Sequence, residues 1–485
     1  MKAVISPLRR IAALLVCAAG AFPLCAVAAE PGDGSLRSVR EVQQSLVEAA
    51  FASNLSLARE AIEVDRATEA LRAARARFYP ELSLEARYSR NEGGRTLEFP
   101  AGQLLNPAYQ TLNELLVAQG QAPRFGMLGD PSIPFLRDRE QDTHIALRQP
   151  LYQPAIPAAV AAQRELLRGA QFQRLVFANQ LHHDVSLAYL QHLKARRAAL
   201  IVASAAEVLA ENLRVTDSLF RNGRVTEDQV LRARAEQLAV QQQQREADDA
   251  IAQSRRYLNF LLNRALDTPV EDARLVDDVA PAVADSATLA TSARDARAEL
   301  SRLDALEAAA RAQVSTAKAR LKPSLSLGVD AGTQGEEYRT GPGYNYLAAS
   351  LVLTWKFFDG GANRAALAEA RLAERSAALA RRELAQSIEL EVRQAAEALA
   401  TSTGSLDAAR GREAAARAAL RIAARKRDEG AISQVEFIDA RNALTQAELN
   451  LNLVQFDVLA HGLALERATG TATLPPLPGG APESR

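Results

Sequence analysis

The stretch Tyr346-Leu-Ala-Ala-Ser-Leu-Val-Leu-Thr-Trp-Lys-Phe-Phe358, followed by Asp359-Gly360-Gly361, decides how this 485-residue chain is read. Its residues alternate. Leu347, Ala349, Leu351, Leu353, Trp355 and Phe357 fall on one face; Ala348, Ser350, Val352, Thr354 and Lys356 fall on the other. That is a period-two strand, and its length suits a tilted crossing of a bilayer. Residues 361–429 then contain no proline. As one helix they would span roughly 100 Å at 1.5 Å per residue. Gly430 interrupts the run, and the helical pattern resumes to Ala468. A compact globular domain holds no helix of that length, so the chain is expected to be elongated.

The same layout occurs earlier. Ser35 to Phe78 carries apolar residues at close to 3.6 spacing and predicts one helix, ended by Pro80. A strand is expected at about 80–90, with Leu82, Leu84, Ala86 and Tyr88 alternating with polar residues. Residues 91–142 are rich in Gly, Pro and Asn and read as a long loop with a short helix at 108–119. A strand follows at about 143–153, stopped by Pro150 and Pro154, then a long helix at about 157–222. Gly223 breaks it. Thr226 is placed to cap a returning helix that runs to Asn263. Residues 264–285 read as a connecting segment, and Ser286 to Lys322 as another helix, ended by Pro323.

The halves align. Pro80 and Pro323, each followed by Leu-Ser-Leu after one residue, lie 243 positions apart. Leu147 and Leu353 lie 206 apart, and Gly223 and Gly430 lie 207 apart. The offset falls by 37 because the first loop is that much longer. The expected domains are a first repeat at 29–263, the connecting segment at 264–285 and a second repeat at 286–470 with strands at about 323–333 and 346–358. A disordered Pro/Gly-rich tail is expected at 471–485.

Met1 to Ala28 has a basic start, an apolar core and Ala26-Val-Ala28, which predicts a secretory leader cleaved after Ala28. Both cysteines, Cys17 and Cys25, lie inside it, preceded by Val16 and Leu24 rather than small residues. The mature chain is therefore expected to be unlipidated and free of thiol chemistry and disulfides. Lys plus Arg and Asp plus Glu both number 58. That balance argues against a nucleic-acid partner.

Four amphipathic strands suit a membrane barrel, but four cannot close one, and lipid does not tolerate open sheet edges. Two or more copies must share it. The duplicated layout, the Leu353-Thr-Trp-Lys-Phe-Phe-Asp-Gly-Gly361 entry and the Glu429-Gly-Ala-Ile-Ser-Gln-Val-Glu-Phe-Ile-Asp-Ala-Arg-Asn442 turn resemble the TolC family of outer-membrane efflux proteins. The resemblance covers the mature chain up to Gly470. It implies a mainly α fold with a membrane β-barrel part. In this TolC-like arrangement a homotrimeric twelve-stranded barrel continues into a twelve-helix periplasmic α-barrel. It further implies the outer membrane of a Gram-negative cell, outer-membrane lipid around the barrel, a periplasmic adaptor (membrane fusion) protein, and an inner-membrane pump of RND, ABC or MFS type. A periplasmic coiled-coil adaptor or a structural envelope protein is the alternative. The duplication favours the duct.

No catalytic set emerges, and no cofactor or metal is implied. His182, His183 and His192 do not share a ligand face on one helix and are expected to be solvated or interhelical. The resemblance assigns adaptor docking to the two tips, Gly223, Arg224 and Val225 with Gly430, Ala431 and Ile432. It assigns an acidic gate ring to Glu436 and Asp439, six and nine residues past Gly430. Three residues apart, these two share one helix face. The family's lock is altered here: Gln229 stands where an acid would, Arg427 replaces an aromatic and Ile432 replaces a base. Arg427 with Gln229 is the candidate substitute contact. Trp355, Phe357 and Phe358 are the candidate aromatic belt.

Overall fold

The computed structural model describes residues 37–274 and 285–478. The expected leader, both cysteines, residues 275–284 of the connecting segment and the end of the tail lie outside them. The first repeat opens with helices α1 (Val39–Ser53) and α2 (Leu55–Ala76), followed by strand β1 (Glu81–Arg90). An insertion follows, with strand β2 (Thr96–Glu98), helix α3 (Ala101–Ala118) and strand β3 (Ser132–Pro134). Strand β4 (Arg139–Tyr152) leads into the hairpin of α4 (Ala155–Arg221) and α5 (Glu227–Leu261). The second repeat runs α6 (Ser286–Ala296), α7 (Ala298–Ala319), β5 (Ser324–Gly335), β6 (Asn345–Thr354), α8 (Ala362–Asp428) and α9 (Gln434–Thr469). Both α4 and α8 have 67 residues, about 100 Å each. Among the described residues no helix is long and apolar enough to cross a membrane.

The strands form one antiparallel sheet in the order β1–β4–β5–β6, with β1 and β6 at its edges. Register places Leu84, Ile145, Ala331 and Leu347 in one row, and Leu82, Leu147, Val329 and Ala349 in the next. Paired residues point to the same side, so these rows make one apolar face across all four strands. Leu84 is 72% and Leu347 75% exposed on it. The opposite face is polar. There Arg148 Nη1 donates to Asp330 Oδ1 at 2.6 Å, and Tyr346 Oη donates to Asp142 Oδ1 at 3.0 Å. Tyr346 is in register with Gly332, which is in register with His144. A Cβ on Gly332 would lie 2.4 Å from the Cβ of His144. Glycine there lets Tyr346 reach across a whole strand to Asp142.

Five expectations change. β4 begins at Arg139 rather than near 143, because Arg139 to Asp142, though all polar and without alternation, find antiparallel partners in β1 and β5. Pro150 does not stop β4; a register shift between Pro150 and Tyr152 accommodates it. β6 ends at Thr354, not Phe358, because its partner β5 begins at Ser324, opposite Thr354. The long loop is structured, with α3 starting seven residues before the expected 108. The tail starts docked: Leu474 and Leu477 pack on the core around Leu181, Tyr189 and Leu258, and an Arg174 guanidinium donates to the Pro478 carbonyl.

Both helices expected to be single are broken, and at equivalent places: Asn54 separates α1 from α2, and Arg297, 243 residues on, separates α6 from α7. Asn54 Nδ2 donates to the Leu261 carbonyl at 2.9 Å, and its Oδ1 caps α2 by accepting from the Leu57 amide. Arg297 Nη1 donates to the Ala468 carbonyl at 3.0 Å. Leu261 and Ala468 lie 207 apart, so each break residue ties down the end of its own returning helix. Those ends also match. Asn263 and Gly470, again 207 apart, both take positive φ and close the same backbone motif.

Arg297 is buried, its fork held by Glu299 at 2.9 and 3.0 Å and by Glu391 at 3.0 Å. Arg297→Ala leaves Glu299 without its cation and Glu391 with Arg467 alone, and is expected to destabilise the fold by roughly 3 kcal/mol. Chemical denaturation checks it; a loss below about 1 kcal/mol would contradict this role for the junction.

Candidate functional site

The far ends of the two hairpins are built by glycine. Gly223 and Gly430 have φ of 67° and 71°, a conformation that costs other residues about 1 kcal/mol or more. Gly430 N donates to the Arg427 carbonyl at 2.9 Å and Ala431 N to Lys426 at 2.7 Å. Gly223 N donates to Phe220 at 2.8 Å and Arg224 N to Leu219 at 2.9 Å. These are paired Schellman closures, each satisfying carbonyls left over at a helix end. Arg425, Lys426 and Arg427 in the last turn of α8, and Arg221 in that of α4, complement the helix dipoles.

The returning helices start differently. Ser433 Oγ accepts from the Glu436 amide at 3.2 Å and caps α9. Thr226 occupies the matching position with extended backbone, but its side chain makes no capping bond. The cap expected there is absent.

Glu436 and Asp439 are exposed on one face of the first turns of α9, whereas Phe437, Ile438 and Arg441 are buried. Arg441 Nη2 donates to Ser204 Oγ of α4 at 3.3 Å. Arg427 lies 4.0 Å over the Phe437 ring and bonds Asp428 Oδ1 at 3.0 Å. Within the protomer it therefore meets its own hairpin rather than Gln229, which is half-buried in the first turn of α5. Sequence reasoning missed Phe437. Arg427 and Phe437 lie ten residues apart across a turn, which is no helical period, and only the folded hairpin brings them together. Arg224, Ala431 and the two glycines are exposed at the tips, and Val225 and Ile432 are half-buried.

The seam between the hairpins mixes polar and apolar contacts. Gln434 Nε2 donates to Thr216 Oγ1 at 3.4 Å, Arg441 reaches Ser204, and Asn452 Nδ2 donates to the Lys194 carbonyl at 3.1 Å. Val202, Ala205 and Leu209 pack on Val240, Leu449 of α9 packs against that cluster, and Phe456 of α9 joins the core around Leu181 and Val185 of α4. His192 is buried and its Nδ1 lies 3.0 Å from Ser254 Oγ. Burial pushes His182, His183 and His192 below the usual imidazole range, which keeps them neutral at pH 7. Among the described residues no His, Cys, Asp or Glu cluster is placed to hold a metal ion.

At the sheet end, Trp355 Nε1 donates to the Leu321 carbonyl at 3.2 Å, and its ring meets Phe357 edge-on at 6.4 Å. Phe357 and Phe358 are exposed. Asp359 accepts from the Gly361 and Asn363 amides at 3.1 and 3.0 Å and so seats the start of α8. The three aromatics mark the junction between sheet and helices.

Residues 289–471, which hold most of the second repeat, match the family model described as "Outer membrane efflux protein". Residues 289–471 are thus similar to an outer membrane efflux protein domain. Solved structures extend the likeness of fold to nearly the whole chain. The Campylobacter jejuni CmeC outer membrane channel superposes with a TM-score of 0.75 at 17% identity, covering 94% of this chain and 93% of that one. The outer membrane protein VceC of Vibrio cholerae gives 0.71 at 17%, covering 88% and 96%. The Neisseria gonorrhoeae MtrE outer membrane channel, in its open state, gives 0.70 at 18%, covering 88% and 88%. No curated protein matches the chain in sequence. The fold is therefore TolC-like.

The two tips differ in one testable respect. Ser433→Ala is expected to cost about 1 kcal/mol and to speed amide exchange in the first turn of α9. Thr226→Ala should change neither quantity at α5, and equal effects would contradict the asymmetric caps.

Proposed function

We propose that three copies of this chain form an export duct through the outer membrane and across the periplasm, serving a tripartite efflux pump or a type I secretion system. The observation that carries the reading is the sheet: an exposed apolar face and two unpaired edges, at the end of two hairpins about 100 Å long. Lipid covers such a face, and in lipid each edge must find a partner. The β1 edge of one copy would pair with β6 of the next. Three copies supply twelve strands, with the polar face lining the lumen and the aromatic trio at the periplasmic interface.

The helices then extend into the periplasm, and the tips at Gly223 and Gly430 are where an adaptor docks, bringing with it an inner-membrane pump. Glu436 and Asp439 line the narrowed end. Threefold symmetry places six carboxylates around one axis, a ring that favours cations and repels anions. The rival readings, an adaptor or a structural envelope protein, leave the apolar sheet face without an occupant.

Glu436→Ala with Asp439→Ala is expected to lower cation over anion selectivity in planar bilayers; an unchanged reversal potential would remove the acidic ring. Gly430→Pro is expected to abolish export while trimers still form in the outer-membrane fraction. Full export by that variant would remove docking at this tip.

A further inference from the structure

The insertion between β1 and β4 contains a helix whose polarity is inverted. On α3, the face turned toward its own return segment carries Asn106, Tyr109 and Asn113. Asn106 exchanges hydrogen bonds with Leu128 at 2.8 and 2.9 Å. Asn113 donates to the Phe125 carbonyl at 2.7 Å and accepts from the amides of Arg124 and Phe125. Tyr109 stacks on Phe125 at 5.2 Å. Asp130 accepts from Gly102 N at 2.7 Å, at the start of the helix. The opposite side is a stripe of Leu104, Leu105, Ala108, Leu112 and Leu115, and its leucines are 43–68% exposed. Ordinary surface helices bury the apolar stripe and expose the amides. Here the amides are used inside, and among the described residues the leucines are left largely exposed.

We propose that the cover is the same stripe on other copies of this chain: three α3 helices pack their leucine faces together over the outer mouth of the barrel. The proposal rests on the trimer described above. Three observations favour a second copy over lipid. First, α3 hangs from the end of the β1–β4 hairpin away from the long helices, because β1 follows α2 and β4 enters α4. β1 is also an edge strand, so closure of the barrel brings each insertion beside a neighbouring subunit. Second, reach is sufficient. Eighteen residues span about 27 Å, and a twelve-stranded barrel is roughly 24 Å across at ordinary strand spacing and tilt. Third, the chemistry suits homotypic packing. Helices that lie on membranes carry Lys or Arg on their polar face; α3 has none, and Glu114 is its single charge.

A disulfide test separates the alternatives. In full-length protein in native membranes, Leu112→Cys is expected to yield disulfide-linked dimers on mild oxidation. Gln110→Cys, on the other side of the helix, should yield none. The chain's own cysteines lie in the expected leader and do not compete. Single-channel conductance in planar bilayers is expected to rise severalfold in Leu104→Asp with Leu112→Asp. Trimers, seen by lysine cross-linking of the unmodified chain, that show neither effect would overturn the cap and leave the duct standing. A bimane label on the Leu112→Cys variant quenched by nitroxide lipids would overturn it in favour of membrane contact. Absence of any trimer would overturn both proposals.

Discussion

A four-stranded sheet with an apolar face and two free edges cannot end at the boundary of its own chain. In water the leucine rows would stay wetted, at a cost of about 25 cal/mol for each Å². In lipid the unpaired amides and carbonyls of β1 and β6 would each cost several kcal/mol. The two demands are met together when the apolar face meets acyl chains and each edge meets the opposite edge of another copy. The rest of the molecule follows. Strands that cross lipid must hand over to helices at one end, so α2, α4, α7 and α8 all leave the sheet on the same side.

The duplication is preserved as geometry more than as residue identity. Asn54 and Arg297 stand at equivalent breaks and both anchor the end of a returning helix, one with an amide and the other with a guanidinium. Asn263 and Gly470 end those helices in the same left-handed turn. The glycine tips close with the same pair of backbone bonds. What each position requires is a donor of the right reach or a residue tolerant of positive φ, and several residue types satisfy either need. The two hairpins have diverged where their work differs. One carries the capped helix start, the stacked Arg427 and the paired acids, and the other carries none of these.

The large elements were legible because their signals are periodic and long. Sixty-seven residues of helical pattern leave little room for error, and four alternations of apolar and polar residues define a strand face. The misplaced boundaries lie where periodicity is silent. Arg139 to Asp142 are strand because β1 and β5 are there to pair with them, not because they alternate. Trp355 to Phe358 alternate but lack a partner, so they leave the sheet. The breaks at Asn54 and Arg297 are imposed by contacts with residues about 170 to 210 positions away. The insertion read as loop because its ordering bonds run from Asn and Asp side chains to backbone, which no hydrophobic count detects. The glycine turns at Gly223 and Gly430 were legible in the sequence, Glu436 and Asp439 were singled out there by resemblance, and the stacking partner of Arg427 was not legible.

The amino-acid sequence alone determined the duplicated order of elements, the lengths of the hairpins, the glycine turns and the apolar face of the strands. Each follows from local φ preference or from a period along the chain. Only the tertiary structure decided the strand order β1–β4–β5–β6, the inward turn of Arg427 onto Phe437, the contact of Arg441 with Ser204 between α9 and α4, and the exposed leucine stripe of α3. Those depend on which side chains meet across distances in sequence that no periodicity encodes. They are settled by packing and hydrogen-bond geometry once the whole chain has folded.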